Sequence, residues 1–406
     1  MKIKQDRMLE NLNTLGGLGI NETGRSRLAA TDEDKAGRDY VVALMKEAEL
    51  DVVVDRIGNI WGIWQDEDNR DRKPVMTGSH IDSVINAGKY DGCLGVIAGL
   101  EVVRVLKENN FKPTRPIMVG AFTNEEGVRY QPDMMGSLVY AGGMELEQAL
   151  NTVDKDGKKL GDELKRIGYE GTVDPGFAAP ECYVELHIEQ GPILDIEGIS
   201  IGAVENLQGI SWQRVTITGD QNHAGTTPTH LRRDACVAAA KTIVYLRERA
   251  VATGKTLATI GTMALEPGAV NVIPSRATFT VDLRNPDCEA LKEEEARLQA
   301  FFRELEVSDH VSIESEQLSR FDPVLFDEEI VEMVEESARK RGFSCKRITS
   351  GAGQDAQMIA RMTKAAMIFV PSVNGISHNP KEFTADQDVL NGASILLDVV
   401  TKLASR

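Results

Sequence analysis

Apolar residues recur along this chain in two alternating rhythms. A spacing of three and four predicts helices over 6–15, 33–49 and 94–109. Residues 51–64 read instead as two strands turning at Gly58-Asn59. Val75–His80 is a short strand running into a polar loop. The uninterrupted apolar run 116–122 fits a strand buried on both faces. Strands alternating with helices predict an α/β layer. The rhythm changes at 211. Strands are expected at 212–218, 257–265, 276–284 and 311–318, with helices at 233–252 and 287–305. Within 276–284, Ala277, Phe279, Val281 and Leu283 share one face, and Thr278, Thr280, Asp282 and Arg284 the other. This β-α-β-β-α-β order is that of a ferredoxin-like unit, so 211–321 reads as an inserted domain. The first pattern resumes with helix 327–341, strand 365–370 and helix 386–404, which joins 1–210 and 322–406 into one domain.

Charge narrows the function classes. Acidic residues number 63 against 46 basic, for a net charge of −17. No dense Lys/Arg block exists, so neither nucleic acid nor an anionic membrane is an expected partner. No apolar run approaches the ~20 residues of a membrane span, and the first residues lack the apolar core of a secretory signal. Cys93, Cys182, Cys236, Cys288 and Cys345 are scattered and form no CxxC pair. That suits a reducing compartment and predicts a cytoplasmic protein without a thiolate zinc site.

Four of the six histidines lie in polar, glycine-bearing motifs. In Gly78-Ser79-His80-Ile81-Asp82-Ser83, the Asp stands two residues from the His and points the same way in extended chain. Such an Asp fixes the ring tautomer of a metal-bound His; a hydrogen-bonded loop histidine is the plain alternative. Asp91, in Gly88-Lys89-Tyr90-Asp91-Gly92, opens the 94–109 helix and could equally cap it. Glu125 and Glu126 follow the buried strand 116–122, where open α/β sheets bind ligands. Adjacent carboxylates there call for a strong positive charge, unless the turn is simply solvated. In 184–191 (VELHIEQG), alternation places His187 between Glu185 and Glu189 on one face. His378 lies in NGISHNP, after strand 365–370. Together these motifs offer three imidazoles and two or three carboxylates, a nitrogen/oxygen set that suits zinc, manganese, nickel or cobalt. One carboxylate bridging two ions about 3.5–4 Å apart is a hydrolase design. If Asp91 bridges, His80 and His187 fall to one ion, and Glu126 and His378 to the other. Glu125 is then left where a general base for a metal-bound water belongs.

The motifs GSHIDSV, GKYDG, TNEEG, ELHIEQG, NHAGTTP, NVIPSR, DLRNP, SGAGQDA and NGISHNP occur in this order along nearly the whole chain. The set resembles the dinuclear-metal amidohydrolases of the M20 peptidase superfamily, most closely the hydantoinase/carbamoylase subfamily. That group includes N-carbamoyl-L-amino-acid hydrolases, β-ureidopropionases and allantoate amidohydrolases. The resemblance implies an α/β fold: a phosphorylase/hydrolase-like, mixed-sheet metal-binding domain with an inserted α+β ferredoxin-like dimerisation lid. It implies a homodimer holding two divalent ions per subunit (Zn, Mn, Co or Ni). His80, Asp91, Glu126, His187 and His378 match the ligands, and Glu125 the general base. His223 in NHAGTTP matches an oxyanion-stabilising histidine. Asn271 and Arg284 match a pair that holds the substrate carboxylate, Gln190 faces the scissile group, and Gly375 offers a backbone N–H. Where many members read GAGHDA, this chain has Gln354, which can donate and accept but not titrate. The expected reaction is hydrolysis of an N-carbamoyl (ureido) amino acid to amino acid, carbon dioxide and ammonia. Allantoate, ureidoglycolate, 3-ureidopropionate and the ordinary N-acyl bonds of an aminoacylase or dipeptidase are the alternatives. His230 and His310 are expected at the surface.

Overall fold

The structure is a computed structural model describing residues 1–406. The chain forms two compact units, Met1–Glu205 with Leu325–Arg406, and Asn206–Val324.

The first unit is organised by a mixed nine-stranded sheet. Its path runs Asp51–Val54, Ile60–Trp64, Ile117–Phe122, Val75–His80, Cys182–Ile188, Lys364–Val370, Ile201–Leu207 and Val324–Leu325, with Cys345–Ser350 paired to Ile201–Leu207. The four middle strands, from Ile117–Phe122 to Lys364–Val370, are mutually parallel. His80 lies opposite Phe122, and His187 opposite Phe369. The carboxyl ends of these strands therefore finish nearly level. Helices Cys93–Glu108 and Asp386–Ala404 pack on this centre. Both strand faces are covered, so the alternation read in 184–189 yields no exposed face. Glu185 and His187 are as buried as Val184 and Leu186.

Helix Asp32–Glu47 starts at Thr31, whose side chain accepts the Asp34 N–H. Helix Cys93–Glu108 starts at Gly92 with no side-chain cap, so Asp91 is free for other work. Strands Ile201–Leu207 and Cys345–Ser350 and helix Leu160–Ile167 have no counterpart in the periodicity reading. The helix spans only 8 residues, too few for a repeating stripe. Cys345–Ser350 (CKRITS) pairs beside the main path and is largely polar.

In the second unit, four antiparallel strands lie in the order Ser312–Phe321, Gly209–Thr218, Arg276–Asn285, Leu257–Glu266. Helices Ala235–Thr253 and Cys288–Ser308 are capped by the carboxylates of Asp234 and Asp287. They pack on an apolar strand face that includes Val215, Ala277, Phe279 and Val281. A small ladder pairs Asn222–His223 with Val272–Ile273. No helix is long and apolar enough to cross a membrane.

Candidate metal centre

The level ends of the parallel strands deliver most of the site. His80 ends one strand, the turn 123–126 follows the next, and His187 is the penultimate residue of the third. His378 comes from the loop after Lys364–Val370. Asp91 precedes the helix that starts at Cys93. Gly92 between them has φ 64°, and a Cβ there would lie 2.5 Å from the His80 ring. Both the backbone angle and the close approach exclude a side chain.

Asp91 is the hub. Its Oδ1 lies 3.5 Å from His80 Nε2 and 3.2 Å from His187 Nε2. Its Oδ2 lies 3.3 Å from His378 Nε2 and accepts from Gln190 Nε2 at 2.8 Å and Ser377 Oγ at 3.1 Å. Glu126 Oε2 is 3.4 Å from His378 Nε2, and Glu125 Oε2 is 3.4 Å from His80 Nε2. Three groups have ligand atoms within 4.8 Å of one another: His80–Asp91–His187, Asp91–Glu126–His378 and His80–Glu125–Glu126. The Nδ1 atoms of His80 and His187 lie 3.0 and 2.9 Å from the backbone carbonyls of Asp82 and Ile188. This leaves each Nε2 facing the carboxylates.

Four neighbours act differently from the sequence expectation. The Asp82 backbone carbonyl, not its side chain, sets the His80 tautomer. The Asp82 carboxylate, 3.8 Å from the ring, accepts the N–H groups of Glu125 and Glu126 at 3.2 Å each. Glu185 accepts from Ser79, Tyr183 and the Ala356 N–H, while Glu189 accepts the N–H groups of Ile193 and Leu194. Neither therefore flanks His187 as a partner. The Gly375 N–H is donated to the Ser372 carbonyl at 2.8 Å, so its own turn consumes the donor expected for substrate.

The cluster is short of positive charge. Burial and the nearby Asp91 push Glu126 up to about 8, and burial pushes Glu125 well above the usual carboxylate range. The hydrogen bond to Asp91 raises His378 to about 9. Burial would lower His80, but Glu125 and Asp91 outweigh it and raise it well above its ordinary value. Protons are the only positive charge these side chains can recruit unaided. His80 Nε2 and Glu126 Oε1 are buried without a hydrogen-bond partner. Orphaned nitrogen and oxygen donors around a shared carboxylate fit divalent cations.

In the second unit, His223 is exposed. Its Nδ1 accepts the N–H groups of Gly225 and Thr226 at 3.0 and 3.2 Å, so the ring proton sits on Nε2. Val272, next to Asn271, pairs with His223, and the Asn271 carbonyl accepts the Ala224 N–H at 3.0 Å. Arg284 is half-buried, and its Nε and Nη2 bond the Asp282 carboxylate at 2.9–3.1 Å. A substrate carboxylate there competes with Asp282. His230 and His310 are exposed.

The model of peptidase family M20/M25/M40 matches residues 76–402. The chain belongs to this family. An N-carbamoyl-L-amino-acid amidohydrolase of Rhizobium meliloti is 37% identical over 99% of this chain and 97% of its own. An allantoate amidohydrolase of Bacillus subtilis is 34% identical over 94% and 93%. The crystal structure of a hydantoinase/carbamoylase-family amidase from Burkholderia multivorans matches with TM-score 0.96 at 40% identity, covering 100% and 99%.

Two carboxylates of this M20-family chain escaped the motif reading. Glu382 accepts the N–H groups of Tyr90 and Asp91 at 2.9 and 3.3 Å and the Ser377 hydroxyl at 3.0 Å. It thereby ties Asp91 to the loop that carries His378. Its signal was faint: an acid four residues past His378, and Gly88, where a Cβ would lie 2.3 Å from Glu382. Asp355, in SGAGQDA, is fully buried, and burial with nearby Glu185 pushes its carboxyl well up. Gln354 donates to Gln190 at 2.7 Å. Gly375, at φ 66°, presses on the Gln190 loop, for a Cβ there would lie 2.7 Å from the Pro192 nitrogen.

Proposed function

We propose that this chain is a metal-dependent amidohydrolase that cleaves the carbamoyl C–N bond of N-carbamoyl-L-amino acids, releasing amino acid, carbon dioxide and ammonia. The observation that carries the reading is the division of Asp91, with Oδ1 toward His80 and His187 and Oδ2 toward His378. His80, Asp91 and His187 would hold one divalent ion; Asp91, Glu126 and His378 would hold the other, both drawn from Zn, Mn, Co or Ni. Such ions, when bound, polarise a carbonyl and acidify water toward neutral pKa.

The chain's own residues supply the rest. Glu125, held by Asp82 through its backbone N–H, takes the proton of the attacking water and hands it to the leaving nitrogen. The His223 ring, with its proton on Nε2, donates to the tetrahedral oxygen. Arg284 offers a planar fork to the substrate carboxylate, with Asn271 beside it. The Gln190 amide faces the scissile group. In this reading Asn206–Val324 is a dimerisation lid, the protein is a cytoplasmic homodimer, and His223 serves the partner's site.

The full-length similarity to an N-carbamoyl-L-amino-acid amidohydrolase supports this substrate class. Allantoate is the second reading, supported by the similarity to the Bacillus subtilis protein. A turnover screen tests both after loading with each metal. It covers N-carbamoyl-L-amino acids, allantoate, ureidoglycolate, 3-ureidopropionate, N-acetyl amino acids and dipeptides. The N-carbamoyl acids should be turned over fastest. Preference for an N-acetyl or dipeptide bond overturns the proposal.

A further inference from the structure

We infer that Gln354 is a positioning residue that fixes which end of the Gln190 amide faces Asp91 and the substrate. Its kinetic readout rests on the hydrolase reading above; its spectroscopic readout does not. The argument follows hydrogen-bond polarity outward from the centre. An ionised carboxylate only accepts. Asp91 Oδ2 faces the Ser377 hydroxyl at 3.1 Å and takes a second donor from Gln190. The Gln190 atom 2.8 Å from Asp91 Oδ2 is therefore Nε2. Gln190 Oε1 then points away and needs a donor, which Gln354 Nε2 supplies at 2.7 Å.

Both residues are held for this purpose. Gln354 is 2% exposed and directly precedes helix Asp355–Ile359, where its carbonyl accepts the Gln357 N–H at 2.9 Å. Gln190 sits at φ 57°, strained for a residue with a side chain, and its N–H is taken by Ser372 Oγ at 3.0 Å. With its backbone pinned, the amide could still flip about its last bond and exchange its oxygen and nitrogen. Gln354 closes that freedom. Gln190 Oε1 is the only atom of the amide able to ligate a cation, and Gln354 keeps it occupied. Gln190 Nε2 also lies 3.4 Å from His378 Nε2, so the same end of the amide touches two of the proposed ligands.

The test is a double-mutant cycle in the full-length protein, using Gln354→Met, Gln190→Met and the pair. Co²⁺-loaded enzyme is assayed on N-carbamoyl-L-alanine, and Co²⁺ titration is followed by visible absorption. Gln354→Met should lower kcat/KM about 10–100-fold, as loss of a ligand-orienting partner does, and alter the Co²⁺ spectrum. In the Gln190→Met background the same change should add less than about twofold and leave the spectrum alone. Multiplying losses, or a Gln354→Met enzyme with wild-type kinetics and spectrum, overturn the inference. If Gln354→Met loses its cooperative melt, Gln354→Glu takes its place in the cycle, being isosteric but unable to donate when ionised. If the wild-type enzyme leaves N-carbamoyl-L-alanine intact, the substrate reading has failed, and the four Co²⁺ titrations alone decide the role of Gln354.

Discussion

His80 and His187 have 0% exposure at the ends of central strands, whereas His223 lies exposed on a two-residue strand. An imidazole buried among carboxylates is costly unless every polar atom is answered. Each buried ring has a backbone carbonyl at Nδ1, and His187 Nε2 accepts the Gly92 N–H, but His80 Nε2 has no hydrogen-bond partner. His223 needs much less, for two N–H groups of its own turn hold it. Burial therefore makes His80 and His187 answerable to packing, whereas His378 is exposed on its loop. The candidate substrate-binding residues of the inserted unit are held by local turns and by neighbours such as Asp282.

Substitutions on the two sides of this contrast should separate cleanly. Glu125→Gln should lower kcat about 10²–10⁴-fold, the usual worth of a positioned acid–base group, while metal analysis still finds both ions. Loss of an ion with turnover would make Glu125 a ligand instead; kcat near wild type would remove it from the chemistry. His223→Ala should lower kcat about 10²–10³-fold with metal content and melting temperature unchanged, because its contacts are local. Depleted metal would contradict that locality. Arg284→Ala should raise KM for carboxylate-bearing substrates about 10–100-fold, matching a charged hydrogen bond of about 1.5–3 kcal/mol. Equal KM values would remove Arg284 from substrate binding.

The smallest effect concerns pH. Glu126 near 8 and His378 near 9 both carry protons at neutral pH, and an ion must displace them. Co²⁺ affinity should therefore rise with pH up to about 9, approaching about tenfold per unit for each proton displaced. Calorimetry in buffers of different ionisation enthalpy measures the release. A flat profile would show that these two groups do not ligate.

Much of this was readable in one dimension. The buried strand 117–122, the turn of acids after it and the glycine-flanked histidines have local signatures, and the helix after Asp91 starts within a residue of its expected place. The cap reading of Asp91 gave way because the helix starts at Gly92 without a side-chain cap and the Asp91 carboxylate faces three histidines. Glu382 stayed hidden because its meaning depends on Tyr90, 292 residues away, and one acid among 63 carries no mark of that. Asp82 was recognised as important but for the wrong atom, since backbone carbonyl and carboxylate are indistinguishable until the chain turns. The Gly375 N–H was misassigned because a short turn satisfies itself before it serves a ligand.

Strand Lys364–Val370 lies between Cys182–Ile188 and Ile201–Leu207, and His378 follows it. A nascent polypeptide that has emerged only through the insert possesses His80, Asp91 and His187, yet its principal sheet still lacks an inner member. Synthesis must run on through residues 364–378 before that gap can be filled and His378 can reach Asp91. Until then the proposed second ion lacks one of its three ligands.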